Sequence, residues 1–360
     1  MTDIKNFLKS LISMPGLSGY EAPVRDVIRE TWQPLVDEIS ESRLGSLHAL
    51  RRGTGPDPRP SILLAAHMDA IGLMVTGQEA GLIRFTEVGG VDPRILPGQE
   101  VTVHGRELLP GVVVQPPDHL LPASQQGKSV AMEYLFVDTG LRQDELAEKV
   151  RIGDLISFAQ TPVELAGNVI AGHSLDNRAS VAALTYCLQD LQFMNHAWDV
   201  WTVATVQEEE TLGGGFTSAF ELQPQIAVAI DVTFAKGPGA NDWRTVNMAK
   251  GPSIGWGPNI HPYIYQKFVE VAEKLDIPHQ KEYMPKHSGT DAYAMQVAAA
   301  GMPTMVISIP LRYMHTPVEV VSMNDLERTG RLLAEFIRRL EPDFIEQIKW
   351  ENEVSDESKE

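Results

Sequence analysis

Four short apolar runs in this chain each end in residues that can bind a metal or move a proton. The runs are residues 62–66 before His67 and Asp69, 200–206 before Glu208 and Glu209, 226–230 before Asp231, and 304–309 before His315. Runs of this length are typical of strands in a mainly parallel sheet that helices cover on both faces. Because ligands bind at the carboxyl edge of such sheets, we expect these polar residues to converge there.

The remaining pattern predicts helices around this sheet and an insertion within it. Apolar residues at helical spacing predict amphipathic helices over 4–12, 24–32, 181–191 and 326–340, and Ser18 or Gly19 is placed to begin the second. Residues 75–162 instead contain short β-like stretches punctuated by Gly and Pro, which is typical of a small antiparallel β domain.

We therefore predict an α/β fold whose mainly parallel central sheet is sandwiched by helices, with a small antiparallel β-barrel-like insertion. Residues 1–74 and 163–345 would form a discontinuous catalytic domain, and residues 75–162 the inserted domain. The acidic and polar residues 346–360 are predicted to be a solvated tail.

Composition narrows the function classes. The formal charge of −18 argues against nucleic acid or an anionic membrane as partner, since phosphate binding needs clustered Lys and Arg. No apolar run approaches the ~20 residues that span a bilayer, and the first residues lack a secretory pattern. Cys187 is the single cysteine, and we place it in a helix core rather than in a nucleophilic role. We expect a soluble, cytoplasmic protein.

Each candidate residue has an ordinary structural explanation when it is taken alone. His67 and Asp69 could be hydrogen-bonded residues at a strand end, and the acids from Glu208 onward a solvated loop. Asp176 could be a helix N-cap worth about 1 kcal/mol. Asp231 could begin a turn, and His315 could be an ordinary loop residue.

Taken together, these residues fit two closely spaced divalent ions bridged by a carboxylate. Nitrogen and oxygen donors without a thiolate favour Zn²⁺ first and Co²⁺ second over Ca²⁺. One of two adjacent acids can then bind metal while the other serves as a base with a raised pKa. No P-loop, Rossmann fingerprint or Gly-x-Ser-x-Gly elbow competes with this interpretation.

Seven blocks of sequence resemble the tetrahedral aminopeptidases, dinuclear metallopeptidases that include glutamyl and deblocking aminopeptidases and proteins named endoglucanase-like. The blocks are PGLSGYE (15–21), AHMDAIGLMV (66–75), LDNR (175–178), VQEE (206–209), DVT (231–233), GTDA (289–292) and RYMH (312–315). They occur in the family's order and span nearly the whole chain. Members usually follow the acid pair with Val-Gly-Leu-Arg-Gly, so Glu210 is a departure.

The resemblance implies a role for each matched residue. Asp176 would bridge both ions, Asp231 and His315 would complete one site, and His67 and Glu209 the other. Glu208 would be the general base, and Asp69 would orient His67 by a hydrogen bond. Asp291, His287 and Arg312, in or beside the matched blocks, are the residues we expect to contact substrate. The family also implies dodecamers built from dimers, with the inserted domain as lid and dimerisation element.

The predicted function is therefore a two-metal aminopeptidase that removes the first residue from peptides with a free N-terminus, by metal-activated water and a Glu general base. Two alternatives stay open. The same site would also suit a carboxypeptidase or a deacylase of N-acyl amino acids, which assays on free and blocked peptides separate. A catalytically silent, metal-stabilised binding scaffold is the other, and it predicts no hydrolysis by metal-loaded protein.

Overall fold

The computed structural model of this protein describes residues 2–348. Its helices are α1 (Ile4–Ile12), α2 (Ala22–Trp32), α3 (Gln143–Lys149), α4 (Leu175–Leu191), α5 (Glu208–Thr211), α6 (Gly213–Leu222), α7 (Pro262–Lys274), α8 (Asp291–Gln296), α9 (Met323–Arg338) and α10 (Phe344–Gln347). None of these helices is both long and apolar enough to cross a membrane. Of the predicted acidic tail, residues 349–360 lie outside the described part of the chain.

The strands form one large sheet and one closed barrel. Those of the sheet are β1 (Glu38–Glu41), β2 (Leu47–Arg51), β3 (Ser61–His67), β10 (Val163–Leu165), β11 (Val169–Gly172), β12 (Asp199–Thr205), β13 (Ile226–Phe234), β14 (Ser253–Trp256), β15 (Gln280–Tyr283), β16 (Thr304–Arg312) and β17 (Glu319–Ser322). Those of the barrel are β4 (Gly72–Glu79), β5 (Leu82–Val88), β6 (Glu100–His104), β7 (Leu108–Val114), β8 (Phe136–Asp138) and β9 (Leu155–Phe158).

The four apolar runs form the centre of the sheet. Its strand order is β1-β2-β12-β3-β13-β16-β17-β11-β10, and β14 joins β16 and β15 at the side. Strands β12, β3, β13 and β16 are parallel neighbours, whereas β2, β17 and β11 extend the sheet by antiparallel pairing. The parallel centre confirms the predicted α/β fold and brings the ends of the four runs to one edge.

Two groups of helices cover this sheet. Helices α4 and α9 pack together and against β13 and β16, and α1 packs on α4. Helices α6 and α8 form the other group and also contact β13, β16 and their neighbours β3 and β12. Helix α4 is buried along almost its whole length, because small residues such as Ala179, Ala182 and Ala183 allow close packing on several sides. Cys187 is buried in this helix, as predicted.

The barrel is built from the chain between β3 and β10. Its six strands close in the order β4-β5-β8-β7-β6-β9, and every neighbouring pair is antiparallel. Alternating residues such as Val101 and Val103 point inward and pack with Ile156 and Val137 in a core separate from that of the sheet. The predicted domain boundary at residue 75 falls inside β4.

Two local predictions from the sequence were wrong. Helix α2 begins at Ala22 rather than at Ser18 or Gly19, because Pro23 favours the first turn and the Ser18 hydroxyl is used elsewhere, by Asp69. Strand β13 continues to Phe234, so Asp231 lies within the strand instead of after it. The cause is continued pairing with β16, in which Asp231 lies opposite Ser308.

Candidate metal centre and active site

The structure brings His67 and Asp176 together at the carboxyl edge of the sheet. His67 is the last residue of β3, and its Nε2 lies 3.2 Å from Asp176 Oδ1. The same nitrogen is 3.9 Å from Asp231 Oδ1 on the neighbouring strand β13 and 3.7 Å from Glu208 Oε2. All four side chains are buried. Three carboxylates therefore lie within 4 Å of one imidazole nitrogen.

Asp176 occupies the position between the two histidines. Its Oδ1 faces His67, while its Oδ2 lies 3.4 Å from His315 Nε2. Although Asp176 falls in the first turn of α4, its ψ of 103° is not helical, so the side chain turns toward the sheet edge instead of capping the helix. Each carboxylate oxygen thus faces a different histidine, the arrangement that a bridging ligand requires.

The acid run divides between these two histidines. Gln207, with φ of 54°, turns the chain from β12 into α5, and a residue other than glycine in this left-handed conformation is typical of functional sites. Glu208 then lies against His67, whereas Glu209 Oε2 is 3.4 Å from His315 Nε2. Glu210 points elsewhere: it is exposed, and its Oε1 accepts a 2.6 Å hydrogen bond from the Gly89 amide in the barrel.

Asp69 organises the loop that carries these acids. Its carboxylate accepts hydrogen bonds from the amides of Glu208, at 3.0 Å, and Glu209, at 3.2 Å. It also accepts one from the Ser18 hydroxyl at 2.6 Å, and its Oδ1 lies 3.5 Å from His67 Nδ1. Asp69 therefore sets the position of His67 and of both acids without facing the space between the histidines.

The distances between histidines and carboxylates group the predicted ligands differently from the two metal sites that the resemblance implied. His315 was assigned with Asp231, yet its carboxylate neighbours are Asp176 and Glu209 at 3.4 Å each. Asp231 instead lies beside His67. Ligand atoms of His67, Glu208 and Asp231 lie within 4.8 Å of one another, as do those of His67, Asp176 and Glu209. The five predicted ligands are together, and the contacts of His315 favour exchanging the two carboxylates.

Burial and neighbouring charges shift the pKa values of the residues in this cluster. Burial raises the pKa of Glu208 and of Asp231 well above the usual value, and raises the pKa of Glu209 to about 8. Burial disfavours charge on His67 as well, but Glu208 and Asp176 outweigh it and raise the pKa of that ring. A hydrogen bond to Asp176 raises the pKa of His315 to about 9. The cluster holds more carboxylates than its histidines neutralise.

Three residues to which the sequence analysis gave no role at the site support the cluster. Glu319, at the start of β17, accepts hydrogen bonds from the amides of Asp176 and His315, both at 3.0 Å. Arg178 is fully buried and donates to the carbonyls of Leu11, Met14, Gly16 and Met68. Ser18 holds Asp69. Ser18 and Arg178 lie in the blocks that carry the resemblance, whereas nothing in the sequence distinguishes Glu319 from an exposed strand residue.

A cavity of about 540 Å³ opens over the cluster. Besides the five ligands and Glu208, its wall comprises Leu212, Val232, Thr233, Phe234, Glu282, Ser288, Gly289, Thr290 and Met314. Its volume lies within the range of about 300–1,000 Å³ that is usual for small-molecule sites. The cavity combines this buried charge with a wall of both apolar and polar residues.

The three predicted substrate-binding residues do not line this cavity. Asp291 is buried behind the acid loop and accepts a 2.5 Å hydrogen bond from the Thr205 hydroxyl. His287 is exposed, with its ring centroid 5.2 Å from that of Tyr293. Arg312 donates from Nε to the Lys236 carbonyl at 2.8 Å. Their role in substrate binding stays a prediction.

Comparison with known proteins gives one family. The family model described as M42 glutamyl aminopeptidase matches residues 45–332. A curated relative, the lysyl aminopeptidase of Pyrococcus furiosus, is 36% identical over 343 residues, which covers 93% of this chain and 97% of that protein. The range matched by the family model includes every residue of the cluster from His67 to His315.

Solved structures agree with this family. The TET aminopeptidase from a marine sediment Thaumarchaeota archaeon superposes with a TM-score of 0.90 at 31% identity, covering 96% of this chain and 99% of that one. The TET1 peptidase of Pyrococcus horikoshii, described as assembling into a tetrahedron or a large octahedral shell, has a TM-score of 0.82 at 32% identity over 94% of this chain and all of that one. The family resemblance seen in the sequence is confirmed.

Proposed function

The chain belongs to the M42 glutamyl aminopeptidase family of peptide hydrolases, and we propose that it is an aminopeptidase that works with two divalent metal ions. The observation that carries the proposal is the position of Asp176, whose two oxygens face His67 and His315 at 3.2 and 3.4 Å. Each histidine has a further carboxylate beside it, so two sets of donors share one bridging residue. Glu208 lies next to this pair and supplies a base.

The donor set fits two cations. Glu209 Oε1 is buried without a hydrogen-bond partner, which is costly for a carboxylate unless a positive charge faces it. The raised pKa values of Glu209 and Asp231 have the same cause, namely burial beside other acids. Imidazole nitrogen and carboxylate oxygen, with no thiolate among the donors, are typical of Zn²⁺ and also suit Co²⁺.

We assign His67 and Asp231 to one ion, His315 and Glu209 to the other, and Asp176 to both. This division follows the contacts of 3.9 Å between His67 and Asp231 and 3.4 Å between His315 and Glu209. When bound, the ions would supply Lewis acidity that polarises the scissile carbonyl and makes water nucleophilic near neutral pH. Glu319 and Asp69 accept hydrogen bonds from backbone amides of these residues and would hold them in place. Residues that hydrogen-bond to metal ligands commonly have this role.

Glu208 is the residue we assign to proton transfer. It is buried and lies at the cavity wall, and burial raises its pKa, which suits a carboxylate that must accept and release a proton. Glu208 would take a proton from the attacking water and deliver it to the leaving amine. Asp69 keeps Glu208 in this position through the Glu208 amide.

The substrate would be a peptide with a free N-terminus. Its α-ammonium group is attracted by the carboxylates of the cavity, and a blocked amine loses that attraction. The family description names glutamyl cleavage and the Pyrococcus furiosus relative lysyl cleavage, so those names differ on the preferred residue. The shells described for the Pyrococcus horikoshii peptidase support a homo-oligomer here, with the dodecamer as its form and the barrel as lid and dimer contact.

The test compares Glu208→Gln with Asp176→Asn in protein loaded with Zn²⁺ or Co²⁺. We expect Glu208→Gln to retain two metals per chain and to lose at least about 100-fold in kcat, because general acid–base catalysis contributes roughly 10²–10⁴-fold. Asp176→Asn should lose metal, since it removes the bridging charge. Metal analysis and hydrolysis of aminoacyl anilides measure both effects.

Two results would contradict the proposal. Near-normal turnover by Glu208→Gln would show that another group moves the proton. Equal cleavage of N-acetylated and free peptides would indicate a deacylase or an endopeptidase instead. A chelator should abolish activity, and adding either metal back should restore it.

A further inference from the structure

One acidic side chain in the cavity wall takes no part in the cluster described above. Glu282 lies on β15, which pairs with β14 in parallel, and residues along this strand alternate between partly buried and exposed. The alternation places Glu282 on the cavity side and Lys281 and Tyr283 on the outside. Glu282 Oε1 accepts a 2.6 Å hydrogen bond from the hydroxyl of Thr233, which is also in the cavity wall. This bond anchors the carboxylate to β13, the strand that carries Asp231.

The second oxygen of Glu282 has nothing to neutralise it. Oε2 is buried and makes no hydrogen bond of normal geometry, although the hydroxyl of Ser308 lies close enough to favour the charged form of the carboxyl. Within residues 2–348, no lysine, arginine or histidine forms an ion pair with Glu282. Burial accordingly raises the pKa of this carboxyl. An unpaired buried carboxylate costs free energy, so such a group in a binding cavity is typically completed by a ligand.

The adjacent residue Lys281 contacts an aromatic cluster on the outer side of β15. Lys281 Nζ lies 4.5 Å from the ring centroid of Trp256 and 5.2 Å from those of Tyr265 and Tyr283. This aromatic setting holds the ammonium group on the outer side of β15 by cation–π attraction. Lys281 is therefore adjacent to Glu282 in sequence, but its ammonium group lies on the opposite side of the strand and does not neutralise Glu282.

We propose that Glu282 makes the cavity selective for peptides whose first residue carries a cationic side chain, lysine or arginine. The inference rests on the proposed aminopeptidase function, because it treats the cavity as the place where the N-terminal residue binds. An ammonium or guanidinium group in the cavity would form a charge-assisted hydrogen bond with the Glu282 carboxylate. An acidic first residue would be repelled by the same carboxylate, and an apolar one would leave it without a counter-charge.

The experiment measures kcat/KM of the metal-loaded enzyme on matched aminoacyl anilides. Lysyl and norleucyl substrates share the same four-carbon side chain and differ in the terminal ammonium group. We expect the wild-type lysyl-to-norleucyl ratio to exceed 1, with arginyl resembling lysyl and glutamyl the poorest. Glu282→Gln, which keeps the shape but removes the charge, should lower that ratio by about 10- to 100-fold.

Two further variants separate specificity from damage to the fold. Thr233→Val removes only the hydroxyl that holds Oε1 and should lower the same ratio by about 3- to 10-fold, through a less well-fixed carboxylate. Glu273→Gln makes the same chemical change at an exposed position of α7 and should leave the ratio unchanged. Thermal unfolding of all three variants checks that they are folded.

Each other outcome has a definite meaning. If Glu282→Gln slows lysyl and norleucyl substrates equally, Glu282 binds the α-ammonium group or serves the fold, and the proposal is overturned. It is also overturned if the wild type prefers norleucyl or glutamyl substrates, although the aminopeptidase assignment then stands. If metal-loaded wild-type protein cleaves none of these substrates, the proposed function itself fails and this inference fails with it.

Discussion

The sheet edge and the inserted barrel bury opposite kinds of groups. At the sheet edge His67, Asp69, Asp176 and Arg178 are all almost inaccessible to solvent. Between β4 and β9, the described structure buries no charged side chain, and Ser157 is its buried polar residue. The barrel core consists of residues such as Leu73, Val103 and Ile156. One region is thus held by hydrogen bonds and charge, and the other by apolar packing.

The difference determines what a single substitution does in each region. Truncating an apolar side chain costs free energy in proportion to the space it leaves. Removing one partner of a buried charge costs more, because the remaining groups lose their hydrogen bonds and stay buried. We therefore expect the sheet edge to lose stability and metal together, whereas the barrel should lose stability without losing metal.

The largest effect is predicted for Arg178→Met, which keeps much of the apolar volume and removes the charge. Four carbonyls would lose their donor, from Leu11 at 2.6 Å to Gly16 at 3.2 Å. The buried carboxylates Asp69 and Glu319 would lose a nearby cation. We expect a loss of about 4 kcal/mol in the free energy of unfolding, measured by urea denaturation, together with weaker metal binding.

Arg142→Met serves as the control for this variant. Arg142 is exposed at the start of α3, and its replacement should change the free energy of unfolding by less than about 0.5 kcal/mol. If Arg178→Met were as mild as Arg142→Met, the hydrogen bonds of Arg178 would contribute little. The contrast between the two regions would then be wrong.

A smaller effect is predicted for Ile156→Ala in the barrel. Ile156 is fully buried and lies opposite Leu73 on β4 and Val103 on β6, so truncation leaves a cavity between three strands. We expect a loss of about 3 kcal/mol in stability, with two metals per chain retained. Urea denaturation and metal analysis of the same sample test this. Loss of metal would mean that the barrel core supports the cluster directly.

The sequence predicted the residues that form the buried cluster better than the residues that hold them in place. The apolar runs before His67 and Glu208 predicted both the strands and the edge where they end, since a doubly covered parallel strand has a plain signature. Glu319 and Glu282 carry no such signal. Each stands on a short strand, and whether a glutamate there faces solvent or a buried amide is decided by packing between distant segments.

The same limit explains the error at Asp231 and bears on the predicted substrate residues. The polar Asp231 looked like the end of a strand, yet β13 continues because β16 supplies partners as far as Phe234. Asp291 and Arg312 are conspicuous polar residues in the matched blocks, and their hydrogen bonds are to Thr205 and to the Lys236 carbonyl. Residue type alone does not decide whether such a position binds substrate, so these two assignments stay predictions.

The smallest effect is predicted where the two regions meet. Glu210, the additional acid after the pair in this chain, accepts a hydrogen bond from the Gly89 amide of the barrel. Gly90, the residue after Gly89, lies close to His315: a Cβ placed on Gly90 would lie 2.9 Å from His315 Nδ1. Because Glu210 is exposed, Glu210→Ala should cost only about 1 kcal/mol. A looser loop beside His315 should nevertheless lower kcat/KM by about 2- to 5-fold, which corresponds to less than 1 kcal/mol.

The matched control is Glu148→Ala, at an exposed position of α3 on the barrel. It removes the same charge without touching the junction, and it should leave kcat/KM unchanged. If Glu210→Ala behaved like Glu148→Ala, the barrel would contribute nothing to the cluster through this contact, and the two regions would be independent. If Glu210→Ala lost metal instead, the junction would belong to the metal centre, because the position of His315 would then depend on the barrel loop as much as on Glu319.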